Sequence, residues 1–231
     1  MGEVPRLRRA LRDTAPGLRL ERMEWQSDSV VAGMDEVGRG AWAGPLTVAA
    51  VVIPKDRRIY KVRDSKMLTE AERESMFDRI TDWVEQWAVG HASQVECDEL
   101  GMSDAQRLAA RRALDGLGVA VDRILLDGNW DFVGDGRART VVRGDRSSLS
   151  IAAASIVAKV TRDRIMRAHA PSFPMFNFEG NKGYPCPVHK SALQGWGPSA
   201  IHRRSWVFMD GLVWTGTPRH ERPSDQLRLA I

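Results

Sequence analysis

An apolar run that ends in two acids decides the fold of this 231-residue chain: residues 30–40 read VVAGMDEVGRG. The run predicts a buried strand that carries Asp35 and Glu36 at its end. Gly38-Arg39-Gly40 follows and offers unobstructed backbone N–H groups beside a permanent positive charge. Two carboxylates before such a turn favour a divalent metal ion held next to a phosphate, although a short glycine-flanked turn needs no ligand.

The two acids are neighbours, and this places a condition on the metal hypothesis. Successive side chains on a regular strand point to opposite faces of the sheet. Asp35 and Glu36 can therefore share a metal ion only if the strand ends or bends there. The glycines at positions 38, 40 and 44 allow such a bend.

Hydrophobic periodicity elsewhere predicts further strands that alternate with helices. The predicted strands are 46–53, 88–95, 124–126 and 140–142. The first predicted helix begins at the capping box of Thr69, and its apolar positions recur as far as Trp87. The second begins at Ser103 and reaches about residue 117. The third begins at residue 150 and is stopped by Pro171. Alternating strands and helices predict the α/β class.

Two later predicted strands also end in acid, the strand at 124–126 at Asp127 and the strand at 140–142 at Asp145. Ligand sites in α/β sheets lie beyond strand ends, so these acids can meet the first pair. Grouped carboxylates repel one another, and an all-oxygen set fits a hard cation, Mg²⁺ or Mn²⁺. Each acid can instead be a turn or helix-cap residue, as most Asp-Gly pairs are.

Basic and aromatic residues supply candidate contacts to a nucleic-acid backbone. Asp64-Ser65-Lys66 can place a lysine on a phosphate or form a turn before a helix. Lys159, Arg162 and Arg164 lie along the Ala-rich helix, where we expect a solvated face. Tyr184, between Gly183 and Pro185, can stack on a sugar or base or can pack internally.

Composition narrows the class of protein. A 43% hydrophobic content allows a real core, and a net charge of +4 is compatible with a polyanionic partner. Cys97 and Cys186 form neither a disulfide framework nor a metal motif, and no apolar run approaches the ~20 residues that span a bilayer. We therefore expect a cytoplasmic protein without a membrane partner. The absence of a Gly-x₄-Gly-Lys-Ser/Thr loop disfavours a nucleoside triphosphatase.

The chain divides into four predicted regions. Residues 1–28 carry six arginines and form a loosely ordered, partly helical basic arm, either a solvated tail or a contact to nucleic acid. The predicted catalytic domain spans 29–170. A Pro/Gly-rich stretch begins a smaller lobe at 171–214, and 215–231 form a mobile tail.

Eight segments, in order, resemble type 2 ribonuclease H, the bacterial ribonuclease HII. They are Asp35-Glu36-Val37-Gly38-Arg39-Gly40, Ala43-Gly44-Pro45, Asp64-Ser65-Lys66, Leu126-Asp127-Gly128-Asn129, Gly144-Asp145, residues 151–163, Gly180-Asn181-Lys182-Gly183-Tyr184, and residues 197–205. The resemblance implies a ribonuclease H-like fold, with a mixed sheet flanked by helices and a small helical C-terminal part.

The resemblance also implies a metal-dependent endonuclease. It would cut RNA in RNA–DNA hybrids and at ribonucleotides embedded in duplex DNA, leaving 3′-hydroxyl and 5′-phosphate ends. By this resemblance the catalytic and metal-binding residues are Asp35, Glu36, Asp127 and Asp145. Three kinds of substrate contact are expected. The turn of Gly38, Arg39 and Gly40 would sense the ribose 2′-hydroxyl, and Tyr184 would stack at the RNA–DNA junction. The residues expected along the nucleic-acid backbone are Ser65, Lys66 and Lys159. The sequence does not identify a protein partner.

The chain departs from the family pattern at three places. Arg143 replaces a common lysine, Pro185-Cys186 replaces Gly-Thr after the tyrosine, and Trp206 replaces a phenylalanine. Pro185 can alter the pose of Tyr184. Two other classes stay open from the residues: a related DNA nuclease or strand-transfer enzyme, and a nucleic-acid-binding module whose acids only cap turns.

Overall fold

The computed structural model describes residues 15–27 and 29–212. Strands in this part of the chain are β1 Val31–Val37, β2 Leu46–Val52, β3 Gln86–Ala92, β4 Arg123–Asp127 and β5 Ala138–Val141. The α-helices are α1 Arg19–Glu24, α2 Glu70–Trp83, α3 Gln94–Asp115, α4 Gly144–Ser147, α5 Leu149–His169, α6 Phe178–Asn181 and α7 Pro187–Trp196. This alternation confirms the predicted α/β class.

The strands form one mixed sheet in the order β3-β2-β1-β4-β5. Strand β1 runs antiparallel to β2 and parallel to β4, and β4 runs parallel to β5. The register pairs Met34 with Leu126, so that Asp35 and Asp127 are the next residues along two adjacent parallel strands. The sheet thus brings together acids that are 92 positions apart in the sequence.

Tertiary contacts divide the chain into two compact units, each built from separate segments. The first unit comprises Met1–Val37, Thr47–His91 and Arg107–Thr161, and the second comprises Gly38–Leu46, Ala92–Gln106 and Arg162–Ile231. The boundaries predicted at residues 28, 170 and 214 stay predictions.

The core of the first unit packs the sheet against α2 and α5. Every residue of β2 is buried, and Ile80 of α2 and Ala153 of α5 have no exposed surface. Gly33 of β1 permits a close approach, since a Cβ there would overlap the backbone of Ser150. The start of α5 therefore lies directly on the strand that carries Asp35.

The core of the second unit is rich in aromatic rings. Phe176 and Phe178 stack with ring centroids 5.4 Å apart, and Met166, Leu193 and Met209 are buried around them. Two histidines that contact these rings, His189 and His202, are also buried.

Two predicted helices differ from the observed ones in extent. Helix α2 has the predicted capping box at Thr69, but it ends at Trp83, and Trp87 lies in β3. Helix α3 spans Gln94–Asp115 but is kinked at Gly101, where φ is 76°, so the helical segment after the kink begins close to the predicted Ser103. The glycine accommodates the left-handed backbone between the two helical segments.

The predicted arm is partly folded. Helix α1 lies within it, and Glu21 is fully buried, accepting hydrogen bonds from the hydroxyls of Ser148 and Ser150 at 2.6 and 2.8 Å. A solvated tail is therefore wrong for residues around α1. Residues 1–14 and the predicted tail, 215–231, lie outside the described residues. Among the described helices none has both the length and the apolar character needed to cross a bilayer.

Candidate active site

Three carboxylates of the first unit form a compact group. Asp35 of β1, Asp127 of β4 and Asp145 of α4 each offer an oxygen, and these oxygens lie within 4.8 Å of one another. The parallel pairing of β1 and β4 brings the first two side by side. Strand β5 ends at Val141 rather than near Asp145, and the short helix α4 carries the third acid to the group.

Backbone amides orient two of these carboxylates. The N–H of Glu36 donates to Asp35 Oδ1, and the N–H of Gly144 donates to Asp127 Oδ1, both at 2.7 Å. Gly144 is closely surrounded, because a Cβ there would lie 2.5 Å from Ile151 Cδ1 and 3.3 Å from Asp127 Oδ1. Both acids are thus held in place by the elements that supply the site.

Burial and mutual repulsion raise the pKa values of two members of the group. Burial, then the charges of Glu36 and Asp127, raise the pKa of Asp35 well above its ordinary value. Burial, then Asp127 and Asp64, raise the pKa of Asp145 to about 6. Crowded like charges of this kind are relieved by a cation, and a donor set of carboxylate oxygens fits a hard divalent ion. The group therefore fits a divalent metal site.

Lys66 places a positive charge at the edge of the group. Its Nζ lies 3.7 Å from Asp145 Oδ2, and the side chain is 76% exposed. Burial lowers the pKa of Lys66, but four carboxylates, Asp35 and Asp145 foremost, outweigh it and raise that pKa overall. The lysine can therefore contact both the group and a ligand in solvent.

The residues before Lys66 are buried. Asp64 caps the turn Ser65–Met67 by accepting from the N–H of Lys66 at 2.9 Å. The charge of Asp64 also helps to raise the pKa of Asp145. The sequence predicted Asp64 as part of a turn and did not predict this electrostatic effect. Ser65, predicted to contact substrate, is buried, and its hydroxyl accepts from Ser155 Oγ at 2.7 Å.

Glu36 is not one of the grouped acids within the described residues. Strand β1 continues through Val37, so its neighbouring side chains point to opposite faces. Its charge nevertheless is the second largest cause of the raised pKa of Asp35. The assignment of Glu36 as a metal ligand stays a prediction.

The predicted glycine turn lies in the second unit, and its two glycines have different surroundings. Gly38 is buried with φ of 88°, and a Cβ there would overlap Arg162 Nε and lie 2.8 Å from the Pro45 carbonyl oxygen. Gly40 is exposed, and a Cβ there would meet no atom within 4 Å. A side chain is therefore costly for folding at position 38 but not at position 40.

Tyr184 belongs to the same unit and contacts this turn. Its hydroxyl oxygen accepts from the N–H of Gly38 at 2.9 Å, and the guanidinium carbon of Arg162 lies 5.1 Å from its ring centroid. The backbone N–H of Tyr184 donates to Asn181 at 2.9 Å. None of these contacts uses Pro185, so the departure there leaves the pose of the tyrosine supported.

Arg162 is fully buried, so the expected solvated face is wrong at this residue. Its guanidinium donates to the carbonyl oxygens of Pro45, Ala43 and Lys182 at 2.8, 3.0 and 2.9 Å. Burial lowers the pKa of Arg162 to about 10. The helical spacing from Ala158, four residues earlier and apolar, is the sequence signal that was missed.

Lys159 is partly exposed on α5 in the first unit. Its proposed contact to a nucleic-acid backbone stays a prediction.

A mixed α/β sheet that brings together two carboxylates of adjacent parallel strands and a third from a following helix, in a group that fits a divalent metal, is typical of ribonuclease H-like nucleases. Comparison with known proteins agrees: a sequence model of the family Ribonuclease HII matches residues 32–209. A ribonuclease HII from Streptomyces avermitilis is 48% identical over 184 residues, which are 79% of each chain. The chain belongs to the ribonuclease HII family.

Solved structures support the same fold. A ribonuclease H2 from Pyrococcus horikoshii aligns with a TM-score of 0.66 at 28% identity, covering 78% of this chain and 95% of that one. A ribonuclease HII from Archaeoglobus fulgidus, solved as a complex with PCNA, aligns with a TM-score of 0.64 at 26% identity over 76% and 93%. The protein is thus a ribonuclease H, an endonuclease that hydrolyses RNA in RNA–DNA hybrids.

Proposed function

We propose that this ribonuclease H also cuts duplex DNA at single embedded ribonucleotides and leaves 3′-hydroxyl and 5′-phosphate ends. The observation that carries the catalytic part is the grouping of Asp35, Asp127 and Asp145 within 4.8 Å, with the pKa of two of them raised. Charge crowding of this kind is costly for folding, which favours a role in binding a cation.

The residues proposed to hold Mg²⁺ or Mn²⁺ are these three aspartates together with Glu36. When bound, the metal would supply a nucleophilic water and neutralise charge on the phosphate. The amides of Glu36 and Gly144 keep Asp35 and Asp127 oriented for this task. Lys66, beside Asp145, would hold a phosphate oxygen next to the site.

The turn of the second unit is proposed to recognise the ribose. The 2′-hydroxyl is the group that distinguishes RNA from DNA at one nucleotide. Gly38 ties the turn to Tyr184 through its N–H, while the open space at Gly40 allows a sugar to approach the backbone closely. Arg39, exposed between them, would contact a phosphate, and the ring of Tyr184 would stack at the junction.

Two further predicted contacts take more limited roles. Ser65 is buried, so it would act by holding the backbone in front of Lys66. Lys159 would contact the phosphate backbone from α5. Contacts of this type release counterions, so affinity should fall as salt rises.

The two cysteines, Cys97 and Cys186, are both free thiols, which supports the cytoplasm as the proposed compartment.

One cleavage assay tests the specificity. Three duplexes of equal length and sequence carry a single ribonucleotide, a full RNA strand or DNA only, and each is incubated with Mg²⁺, Mn²⁺ or EDTA. We expect cleavage of the first two in either metal and none of the third. End-labelled products should show whether the 5′ end carries phosphate. A DNA-only duplex cut as fast as the others would refute ribonucleotide recognition.

A matched pair of variants tests the carboxylate group. Asp127→Asn should lower kcat by more than about 100-fold, beyond the loss typical of residues that only support a ligand. Asp82→Asn changes an exposed aspartate of α2 in the same way and should leave kcat unchanged. Wild-type activity in Asp127→Asn would exclude that residue from catalysis.

A further inference from the structure

Two buried histidines of the second unit have no role in the proposed chemistry. His189 lies in α7 and is fully buried, and His202 follows that helix with 1% of its surface exposed. Their Nε2 atoms are 2.9 Å apart. Two such nitrogens form a hydrogen bond only if one of them carries the proton and the other accepts it.

Backbone groups at the two ends decide which nitrogen carries each proton. The N–H of Ser199 can only donate, and it meets Nδ1 of His202 at 2.9 Å, so that nitrogen accepts. A neutral His202 therefore carries its proton on Nε2 and donates to Nε2 of His189. His189 then carries its proton on Nδ1 and donates at 3.0 Å to the carbonyl oxygen of Tyr184, which can only accept.

The surroundings keep both rings neutral and in place. Phe176 lies 4.6 Å from His202 between ring centroids, and Phe178 and Trp42 lie 5.5 and 5.2 Å from His189. Burial lowers the pKa of His202 to about 3 and also lowers that of His189. The order of donors and acceptors therefore holds at neutral pH.

The residue after His202 reaches the other part of the proposed ribose site. Arg203 is fully buried, and its Nη1 donates to the carbonyl oxygen of Arg39 at 3.1 Å, while its Nε donates to that of Gly44 at 3.0 Å. Two adjacent residues thus hold two parts of the proposed ribose site. Arg203 contacts the turn directly at Arg39, and His202 contacts Tyr184 through His189.

We infer that His189 and His202 are positioning residues, whose ordered hydrogen bonds hold Tyr184 at a set distance from the turn that Arg203 holds. This inference rests on the proposed role of Tyr184 and the turn in recognising the ribonucleotide. The pair acts through the tyrosine backbone and sets the preference for a single ribonucleotide over a continuous RNA strand.

The proton order can be measured on the unmodified full chain. Long-range ¹H–¹⁵N spectra of protein labelled with ¹⁵N-histidine distinguish the two neutral tautomers. Assignment uses single substitutions among the five histidines of the chain. We expect His189 protonated on Nδ1 and His202 on Nε2 between pH 6 and about 8, the range around the ordinary histidine pKa. The opposite tautomer at either ring, or a charged ring in that range, would overturn the proposal whatever the activity of any variant.

Variants of His189 test the functional consequence. His189→Phe keeps an aromatic ring but removes both ring nitrogens. His189→Asn places an amide N–H near the position of Nδ1. The readout is the ratio of kcat/KM on the single-ribonucleotide duplex to kcat/KM on the full hybrid. His189→Phe should lower this ratio about fivefold to tenfold, the size of one lost hydrogen bond, and His189→Asn should recover at least half of the loss. Ser191→Ala, exposed on the same helix, should leave the ratio unchanged.

A double substitution separates this inference from the proposed function. In a Tyr184→Ala background, His189→Phe should change the ratio by less than about twofold, since the pair acts through the tyrosine. If Tyr184→Ala alone leaves the ratio unchanged, the proposed role of the tyrosine fails. If Tyr184→Ala lowers the ratio and His189→Phe does not, the positioning role fails alone. The inference would be contradicted if His189→Phe lowered kcat/KM equally on both substrates and its effect added to that of Tyr184→Ala. That result would show that His189 has a merely structural role.

Discussion

Replacing each glycine of the Gly38–Gly40 turn by alanine should separate folding from substrate contact. Gly38 has φ of 88°, a left-handed backbone that costs an alanine about 1–2 kcal/mol. Its new methyl group would also overlap Arg162 Nε, which donates to the Pro45 carbonyl oxygen at 2.8 Å. Displacing the guanidinium forfeits a buried hydrogen bond to a charged group, roughly 1.5–3 kcal/mol.

The sum for Gly38→Ala is therefore about 2.5–5 kcal/mol, a large part of the roughly 5–15 kcal/mol that stabilises a typical domain. Gly40→Ala introduces neither cost, because φ is not left-handed there and no atom lies within 4 Å of the added methyl group. Its free energy of unfolding should change by no more than about 0.5 kcal/mol. The methyl group would, however, occupy the space through which the ribose is proposed to approach.

Urea unfolding measures the first effect and ribonucleotide cleavage the second. Gly38→Ala should shift the midpoint strongly to lower urea concentration, with an unchanged slope. Gly40→Ala should unfold like the wild type and lose at least about tenfold in kcat/KM on the single-ribonucleotide duplex, which corresponds to 1.4 kcal/mol. A Gly38→Ala protein as stable as the wild type would refute the steric reasoning. A fully active Gly40→Ala protein would refute the close approach of the sugar.

Three further predictions concern stability. The pKa of Asp145 is about 6 in the folded protein, so in EDTA the folded state binds this proton more tightly than the unfolded state does. The stability that this proton contributes should therefore fall as pH rises from about 4 to 6. Asp145→Asn should flatten that part of a profile of melting temperature against pH, and an unchanged profile would contradict the reasoning. Thr69→Ala removes the cap that accepts from the Glu72 N–H and should cost about 1 kcal/mol in urea unfolding, whereas Thr69→Ser should cost little. Glu21→Ala leaves the buried hydroxyls of Ser148 and Ser150 without their carboxylate and should cost roughly 3 kcal/mol, and a stability equal to the wild type would show that α1 is dispensable.

Local chemistry made several parts of the fold readable in the sequence. The capping box at Thr69 fixed the start of α2, since a cap depends on residues three positions apart. The apolar runs of β2 and β4 and the start of α5 were also predicted, because burial of a strand or helix face leaves a periodic pattern. The family motifs identified the four acids as candidates, and the sheet order then brought three of them together.

The sequence by itself therefore determined the α/β class, the family and the identity of the acidic residues. Only the tertiary structure decided which charged and polar groups are buried. Arg162 is buried because it contacts three carbonyl groups from distant segments, and His202 is connected to Tyr184 through His189. Glu36 is not one of the acids grouped within 4.8 Å, although its charge raises the pKa of Asp35. Each of these outcomes depends on packing between segments far apart in the chain, which no local pattern of residues records.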